Sequence, residues 1–125
     1  KEMHLGEWEG RSQEEIRQTD PVRLHHFLND PEQFQAPGGE SYADVFHRTV
    51  AYISKIIDLH AGQSVLVVAH TVVVKVLMNY FAGRALKELW NSPYIHPASL
   101  SKIEWENGEA RILLHGDISH YKDEA

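Results

Sequence analysis

The 125-residue sequence contains no cysteine, which excludes disulfides and thiolate-bound metal sites and leaves the redox compartment undefined. We recognise no signal peptide within residues 1–125, and their longest apolar run is far shorter than the roughly 20 residues that a membrane-spanning helix requires. Basic residues are not in excess either: the formal net charge is −6, which argues against non-specific binding to nucleic acid. These absences predict a soluble cytoplasmic domain that binds neither membranes nor nucleic acid.

The chain also begins without a methionine and without a strand ahead of its first motif. Lys1 leads directly into a loop-like segment with glycines on both sides of Trp8. The length allows one domain with a modest core. We therefore expect residues 1–125 to form a single domain that belongs to a longer protein.

The most informative segment is the apolar run Val65-Leu66-Val67-Val68-Ala69, which ends at His70. It predicts a strand over residues 64–70 that is buried on both faces, as in the parallel sheets of α/β proteins. Helical spacing follows and predicts a helix over 72–82, closed by Gly83. His70 would then lie where a strand ends and a helix begins. Open α/β sheets bind ligands there, and free N–H groups favour an anion, so the placement indicates phosphate chemistry.

The rest of the pattern predicts helices and one late hairpin. The elements are helices at 13–18 and 22–28, a long amphipathic helix between Ser41 and Gly62, and a hairpin turning at Asn107-Gly108. A strand that is apolar on both faces needs neighbours at both edges, and the hairpin alone does not provide them. We therefore expect the partners of residues 64–70 to be missing from this chain or to come from another one.

Two kinds of residue are candidates for chemistry, and each has an ordinary structural explanation. His70 is either a histidine that caps a strand through backbone hydrogen bonds or an imidazole that binds phosphate or moves a proton. Glu2, Glu7 and Glu9 are either solvated loop carboxylates, or one of them is a general acid with a raised pKa. The residues alone do not choose among the three.

Two further patterns are weaker. Pro37-Gly38-Gly39-Glu40-Ser41 is either a turn ending in a helix-capping serine or a glycine-rich loop that lets Ser41 donate to an anion. The nine histidines do not have the spacing of metal ligands. We therefore predict no metal site.

In combination, these motifs strongly resemble the histidine phosphatase superfamily, which includes cofactor-dependent phosphoglycerate mutases and related acid phosphatases. The resemblance is carried by residues 1–10 (KEMHLGEWEG), residues 37–41, Arg48 and residues 65–70. Leu89-Trp90, Pro93-Tyr94 and residues 116–120 (GDISH) look closest to small bacterial broad-specificity and alpha-ribazole phosphatase-like members. The resemblance implies a three-layer α/β fold, a phosphoglycerate mutase-like sheet flanked by helices, which is incomplete in this chain.

The resemblance also implies roles for individual residues. In that family the histidine of an Arg-His-Gly motif attacks phosphorus and becomes a phosphohistidine, and this sequence contains no such motif. His70 matches a second histidine that binds the phosphoryl group, and Glu2 matches the glutamate that protonates the leaving oxygen. Thr71 replaces the usual glycine, and its hydroxyl can donate to substrate; Ser41 is a weaker candidate for substrate contact. No metal or other cofactor is implied.

From this resemblance we expect residues 1–125 to be the carboxyl-terminal portion of a histidine-type phosphomonoesterase that acts on a small phosphorylated substrate. The chain alone should be inactive because the nucleophile is absent. It should form homo-oligomers or associate with the missing amino-terminal half. The alternatives are phosphoglycerate mutase activity, or a non-catalytic scaffold that binds partners through an exposed sheet edge.

Overall fold

The structure of the chain, a computed structural model, describes residues 1–122. Its helices and strands are α1 (Gln13–Thr19), α2 (Pro21–Asn29), α3 (Tyr42–Leu59), α4 (Thr71–Phe81), β1 (Leu100–Glu106) and β2 (Glu109–Asp117), with short 3-10 helices at Gly6–Trp8 and Leu86–Glu88. The four predicted α-helices are confirmed, with bounds that differ by only a few residues.

Local side-chain caps account for two of the helix starts. The Ser12 hydroxyl accepts a hydrogen bond from the backbone N–H of Glu15 at 3.1 Å ahead of α1. Ahead of α3, the Ser41 hydroxyl accepts from the N–H of Asp44 at 3.1 Å, and the Asp44 carboxylate accepts from the N–H of Ser41 at 2.9 Å. This reciprocal pair is a capping box, so these two helix starts are encoded within four residues.

The predicted hairpin is confirmed and is longer than expected. β1 and β2 pair antiparallel, and the turn residues Asn107 and Gly108 both have positive φ, at 52° and 75°. This backbone suits the tight turns that match the right-handed twist of hairpin strands. Within residues 1–122, these two strands form the only sheet.

The prediction of a buried strand over residues 64–70 is wrong for this chain. The segment pairs with no strand among residues 1–122, and the side chains of Val65, Leu66, Val67 and Val68 are 46%, 81%, 45% and 88% exposed. A strand is held by hydrogen bonds to its neighbours and buried by what covers its faces. Among the described residues no strand pairs with the segment, and at most one of its faces is partly covered, so its apolar side chains remain in contact with water.

The core joins the amino-terminal loop to the start of α4. Its buried members are Met3, Trp8, Ile16, Leu24, Phe34, Ala36, Tyr42, Val45, Val72, Val73, Val76 and Leu89. Because Met3 lies in the same cluster as Val72 and Val73, the segment that carries Glu2 is held against the beginning of α4. None of the helices among the described residues combines the length and the apolar character needed to cross a membrane.

Candidate active site

Glu2 and His70 both lie at the start of α4, although they are far apart in the sequence. The Oε2 atom of Glu2 accepts a hydrogen bond from the backbone N–H of Val72 at 3.0 Å. Its Oε1 atom accepts from the N–H groups of Val73 at 3.3 Å and Met3 at 2.9 Å. His70 is the residue at the N-cap of α4; its side chain is exposed and makes no capping bond. The carboxylate therefore lies within one helical turn of His70.

The Glu2 carboxylate provides the cap that His70 does not. Backbone N–H groups in the first turn of a helix have no partner within the helix, and they carry the positive end of its dipole. A carboxylate placed there accepts hydrogen bonds from these N–H groups and interacts favourably with the dipole. The helix start was expected to favour an anion, and the N–H groups of Val72 and Val73 donate to the carboxylate of Glu2; binding of phosphate there stays a prediction. A phosphoryl group that reached His70 would lie beside this carboxylate.

The geometry separates the three loop carboxylates that the sequence did not distinguish. Glu9 accepts from the N–H of Leu5 at 3.3 Å and lies 3.8 Å from the His4 imidazole, so it is used within its own loop. Glu7 is exposed to solvent. Glu2 is the one of the three whose carboxylate bonds to α4. Its role as a proton donor stays a prediction.

Arg48 on α3 holds the main chain on both sides of this carboxylate. Its Nη1 and Nη2 atoms donate to the carbonyl oxygens of Lys1 at 3.2 Å and Glu2 at 3.1 Å. Its Nε and Nη2 atoms also donate to the two carboxylate oxygens of Glu40 at 2.7 Å and 3.1 Å. Glu40 in turn accepts from the N–H of His4 at 2.8 Å. The bidentate pair therefore fixes the segment from Lys1 to His4.

The pair is charged under ordinary conditions. The hydrogen bond from Arg48 is the main cause that lowers the pKa of Glu40 below its usual range, and the bond from His4 adds to it. The same contact raises the pKa of Arg48. In the sequence, Arg48 belongs to the family resemblance and Glu40 to the loop motif, and neither residue had an expected role. Their pairing across eight residues was not predicted.

The two glycine-containing loops, one at residues 4–7 and one at residues 36–40, contact each other through their backbones. The N–H of Glu40 donates to the carbonyl of His4 at 2.8 Å, and the N–H of Glu7 donates to the carbonyl of Pro37 at 2.8 Å. A Cβ atom on Gly39 would come within 2.7 Å of the backbone nitrogen of Gly6, and one on Gly6 would overlap the Pro37 carbonyl. The glycines are needed because the two loops touch backbone to backbone.

Ser41 lies at the end of this loop with its hydroxyl engaged at the start of α3. That arrangement gives it the structural role of a helix cap. Its contact with substrate stays a prediction.

Two cavities border the start of α4. The larger, of about 870 Å³, is lined by residues 1–4, Glu40, Arg48, one face of α3 and residues 65–69. The smaller, of about 160 Å³, includes Thr71 in its lining. In the sequence, His70 lies between Ala69, which lines the larger cavity, and Thr71, which lines the smaller one. Among the residues that the structure describes, no three His, Asp or Glu side chains are placed to hold a metal ion together.

Comparison with known proteins identifies the family. Residues 1–118 match the sequence model of the histidine phosphatase superfamily (branch 1). The chain belongs to this superfamily. The match includes Glu2, Glu40, Arg48 and His70, and therefore the whole arrangement around the start of α4.

Individual proteins are similar to this chain in sequence or in structure. Phosphoserine phosphatase 1 of Hydrogenobacter thermophilus is 30% identical over 112 residues, which cover 90% of this chain and 53% of that protein. YhfR of Bacillus stearothermophilus superposes with a TM-score of 0.92 at 40% identity, over 95% of this chain and 59% of that one. The alpha-ribazole phosphatase of Shigella flexneri superposes with a TM-score of 0.77 at 22% identity, over 93% of this chain and 57% of that one, a likeness of fold alone.

The chain thus spans little more than half the length of these relatives. The family match and the YhfR superposition confirm the phosphoglycerate mutase-like α/β fold. Phosphatases in the superfamily are among the relatives of this chain, which supports phosphatase chemistry in general.

Proposed function

We propose that this chain is part of a phosphomonoesterase that works through a phosphohistidine intermediate, with Glu2 as the proton donor and His70 as a ligand of the phosphoryl group. Membership of the histidine phosphatase superfamily supports the reaction class. The observation that carries the assignment of residues is the Glu2 carboxylate bonded to the first turn of α4, next to His70. A proton donor and a phosphate ligand must both reach one small reacting group.

The proposed reaction has two steps. In the first, a histidine nitrogen from a segment outside this sequence attacks phosphorus, and the P–O bond to the organic group breaks. Glu2, as a carboxylic acid, gives its proton to the departing oxygen. In the second, the Glu2 carboxylate takes a proton from water as the water oxygen attacks phosphorus, and the P–N bond breaks to release phosphate. His70 stabilises the charge on the phosphoryl oxygens in both steps.

We further propose that a β-strand supplied by an additional segment of the protein covers residues 65–68 and brings the nucleophile. The segment is apolar on both faces and yet exposed, as expected of a central strand without its neighbours. Residues 65–69 also line the larger cavity together with Glu2, so a strand beside them would end close to the carboxylate. The greater length of the relatives supports the same idea.

The test compares the full natural protein that carries this sequence with residues 1–125 alone. The full protein should hydrolyse p-nitrophenyl phosphate in the presence of EDTA and should form an acid-labile, base-stable phosphoprotein during turnover. Residues 1–125 should have negligible turnover. Metal-independent activity of residues 1–125 that is lost in His70→Ala would contradict the proposal, since the nucleophile would then lie within this sequence.

A non-catalytic binding module is the second candidate, because the exposed segment and the cavity beside it offer a surface for association. A full natural protein that binds phosphate esters without any hydrolysis would favour this alternative. Light scattering of residues 1–125 tests association, since a second copy would cover residues 65–68 in a concentration-dependent dimer. The cytoplasmic location remains part of the proposal and is tested by cell fractionation.

A further inference from the structure

A buried lysine connects α4 to the loop of residues 91–95. Lys75 is 6% exposed and lies one turn beyond Thr71 on the same face of α4. Its ammonium donates to the carbonyl oxygens of Asn91 at 2.7 Å and Pro93 at 2.9 Å. Both acceptors belong to the loop of residues 91–95. The lysine therefore connects this loop, through hydrogen bonds, to the helix that begins next to His70.

Burying a cation with only neutral partners is unfavourable unless hydrogen bonds offset the cost of its desolvation. Within residues 1–122, no carboxylate forms an ion pair with Lys75. Burial, helped by the charge of Arg84, lowers the pKa of Lys75. A methionine would fill similar space without this desolvation, but it could not donate the two hydrogen bonds to the carbonyls.

A second cation acts on the same loop. The Arg84 guanidinium donates to the carbonyl of Ser92 at 3.3 Å, which lies between the two acceptors of Lys75. Three successive carbonyls are thus held by basic side chains. These contacts hold the backbone of the loop in place, so that its side chains can line a cavity.

The cavity that the loop lines is next to the proposed site. Thr71, Lys75, Ser92 and Tyr94 are among the residues that line the cavity of about 160 Å³. Tyr94 is 71% exposed, and its ring is placed against the neighbouring His96 imidazole with centroids 4.6 Å apart. An exposed aromatic ring beside a few polar groups is a common way to hold the organic part of a small ligand.

We propose that Lys75 is a positioning residue that fixes loop 91–95 beside Thr71, and that Tyr94 on this loop contacts the organic group of the phosphomonoester and favours an aromatic one. The proposal rests on the proposed function. Lys75 acts through the loop and does not touch the phosphoryl group.

The kinetic test uses the full natural protein and its Lys75→Met, Lys75→Arg, Tyr94→Ala and Tyr94→Phe variants. For p-nitrophenyl phosphate, Lys75→Met and Tyr94→Ala should each raise KM by about tenfold and leave kcat within about twofold, as expected when ground-state binding is lost. Methyl phosphate, which lacks an aromatic group, should show little change. Tyr94→Phe keeps the ring and should raise KM much less than Tyr94→Ala does, and Lys75→Arg should recover part of the loss because it can still donate.

A second readout does not depend on activity. Amide hydrogen exchange of Asn91, Ser92 and Ile95 should be faster in Lys75→Met than in the unmodified protein, and unchanged in Tyr94→Ala. Equal exchange in Lys75→Met, or equal loss for the aromatic and methyl esters, would overturn the inference even if His70→Ala abolishes hydrolysis. If the unmodified protein hydrolyses no phosphate ester, the proposed function fails, and the exchange measurement still decides whether Lys75 holds the loop.

Discussion

Arg48 donates a hydrogen bond to the main-chain carbonyl of Glu2 at 3.1 Å, while the carboxylate of Glu2 accepts hydrogen bonds from the amides of Val72 and Val73 that open α4. Glu2 is therefore held at both ends, by α3 through its backbone and by α4 through its carboxylate. A general acid works only if its distance to the leaving oxygen is reproducible, and these contacts provide such a constraint.

Replacing Glu2 with Gln should affect both stability and turnover. The amide keeps only one acceptor oxygen for the N–H groups of Val72 and Val73, so the free energy of unfolding should fall by about 1 kcal/mol. If Glu2 donates the proton, kcat/KM, which reports the first step, should fall by about 100-fold for alkyl phosphates and much less for p-nitrophenyl phosphate, whose leaving oxygen hardly needs a proton. Steady-state kinetics with both esters measures the difference. The same loss of kcat/KM for both leaving groups would contradict the role of proton donor.

Replacing His70 with Ala should lower kcat by about 100- to 1000-fold, because a group that stabilises the phosphoryl oxygens is lost. Stability should hardly change, since the His70 side chain is exposed and caps nothing. His60→Ala is the matched control: His60 is also exposed and contacts only Gln63 through its ring, at 2.9 Å. Phosphatase assays and urea denaturation should separate the two variants, and full activity of His70→Ala would exclude His70 from the site.

The pair of Glu40 and Arg48 should make stability depend on acid. The pKa of Glu40 is lowered in the folded state, so the folded protein binds a proton less readily than the unfolded chain does. The stabilisation is fully present above the usual glutamate pKa and is lost as the pH falls through the lower, folded-state pKa. Glu40→Gln should remove this part of the pH dependence and lower the free energy of unfolding at neutral pH by about 1 kcal/mol.

The matched control for Glu40→Gln is Glu14→Gln, which breaks an exposed pair with Arg17 on α1. That change should cost less than about 0.5 kcal/mol. Urea denaturation between neutral pH and the acid limb compares the two variants. Identical pH profiles for Glu40→Gln and Glu14→Gln would show that the Glu40 pair adds nothing to stability.

Gly6 and Gly10 separate the effect of loop packing from that of backbone conformation. Both have positive φ, at 57° and 77°, so an alanine at either position costs about 1 kcal/mol for its backbone. At Gly10 the added Cβ meets nothing within 4 Å, whereas at Gly6 it overlaps the Pro37 carbonyl. Gly6→Ala should therefore be destabilised by roughly 2 kcal/mol more than Gly10→Ala, as measured by urea denaturation. Equal losses would mean that the two loops separate easily.

If a strand partner covers residues 65–68, the loss of stability caused by a Leu→Lys change should depend on its position. Leu66 and Leu59 are similarly exposed in this chain, at 81% and 77%, so Leu→Lys at either position should be tolerated here. In the full natural protein, Leu66→Lys should lower the free energy of unfolding by roughly 2 kcal/mol because it would bury an ammonium, and Leu59→Lys should not. If the two changes cost the same there, residues 65–68 have no apolar partner.

The helices and the hairpin could be predicted because their signals are local. Ser12 and Ser41 cap helices through residues three positions away, and Asn107-Gly108 sets the turn by its own backbone preference. The position of His70 at the start of α4 followed from the same kind of signal. Residues 64–70 are the exception. Their pattern is that of a buried strand, but a strand depends on neighbours that the pattern cannot supply.

The sequence by itself determined which segments become helices and which residues could do chemistry, because those properties depend on a few adjacent side chains. Only the tertiary structure decided that Glu2 rather than Glu7 or Glu9 caps α4, that Glu40 and Arg48 hold it there, and that the glycines of two distant loops pack against each other. These contacts join residues from different parts of the chain, and their geometry exists only once the core has brought Met3 against Val72 and Val73.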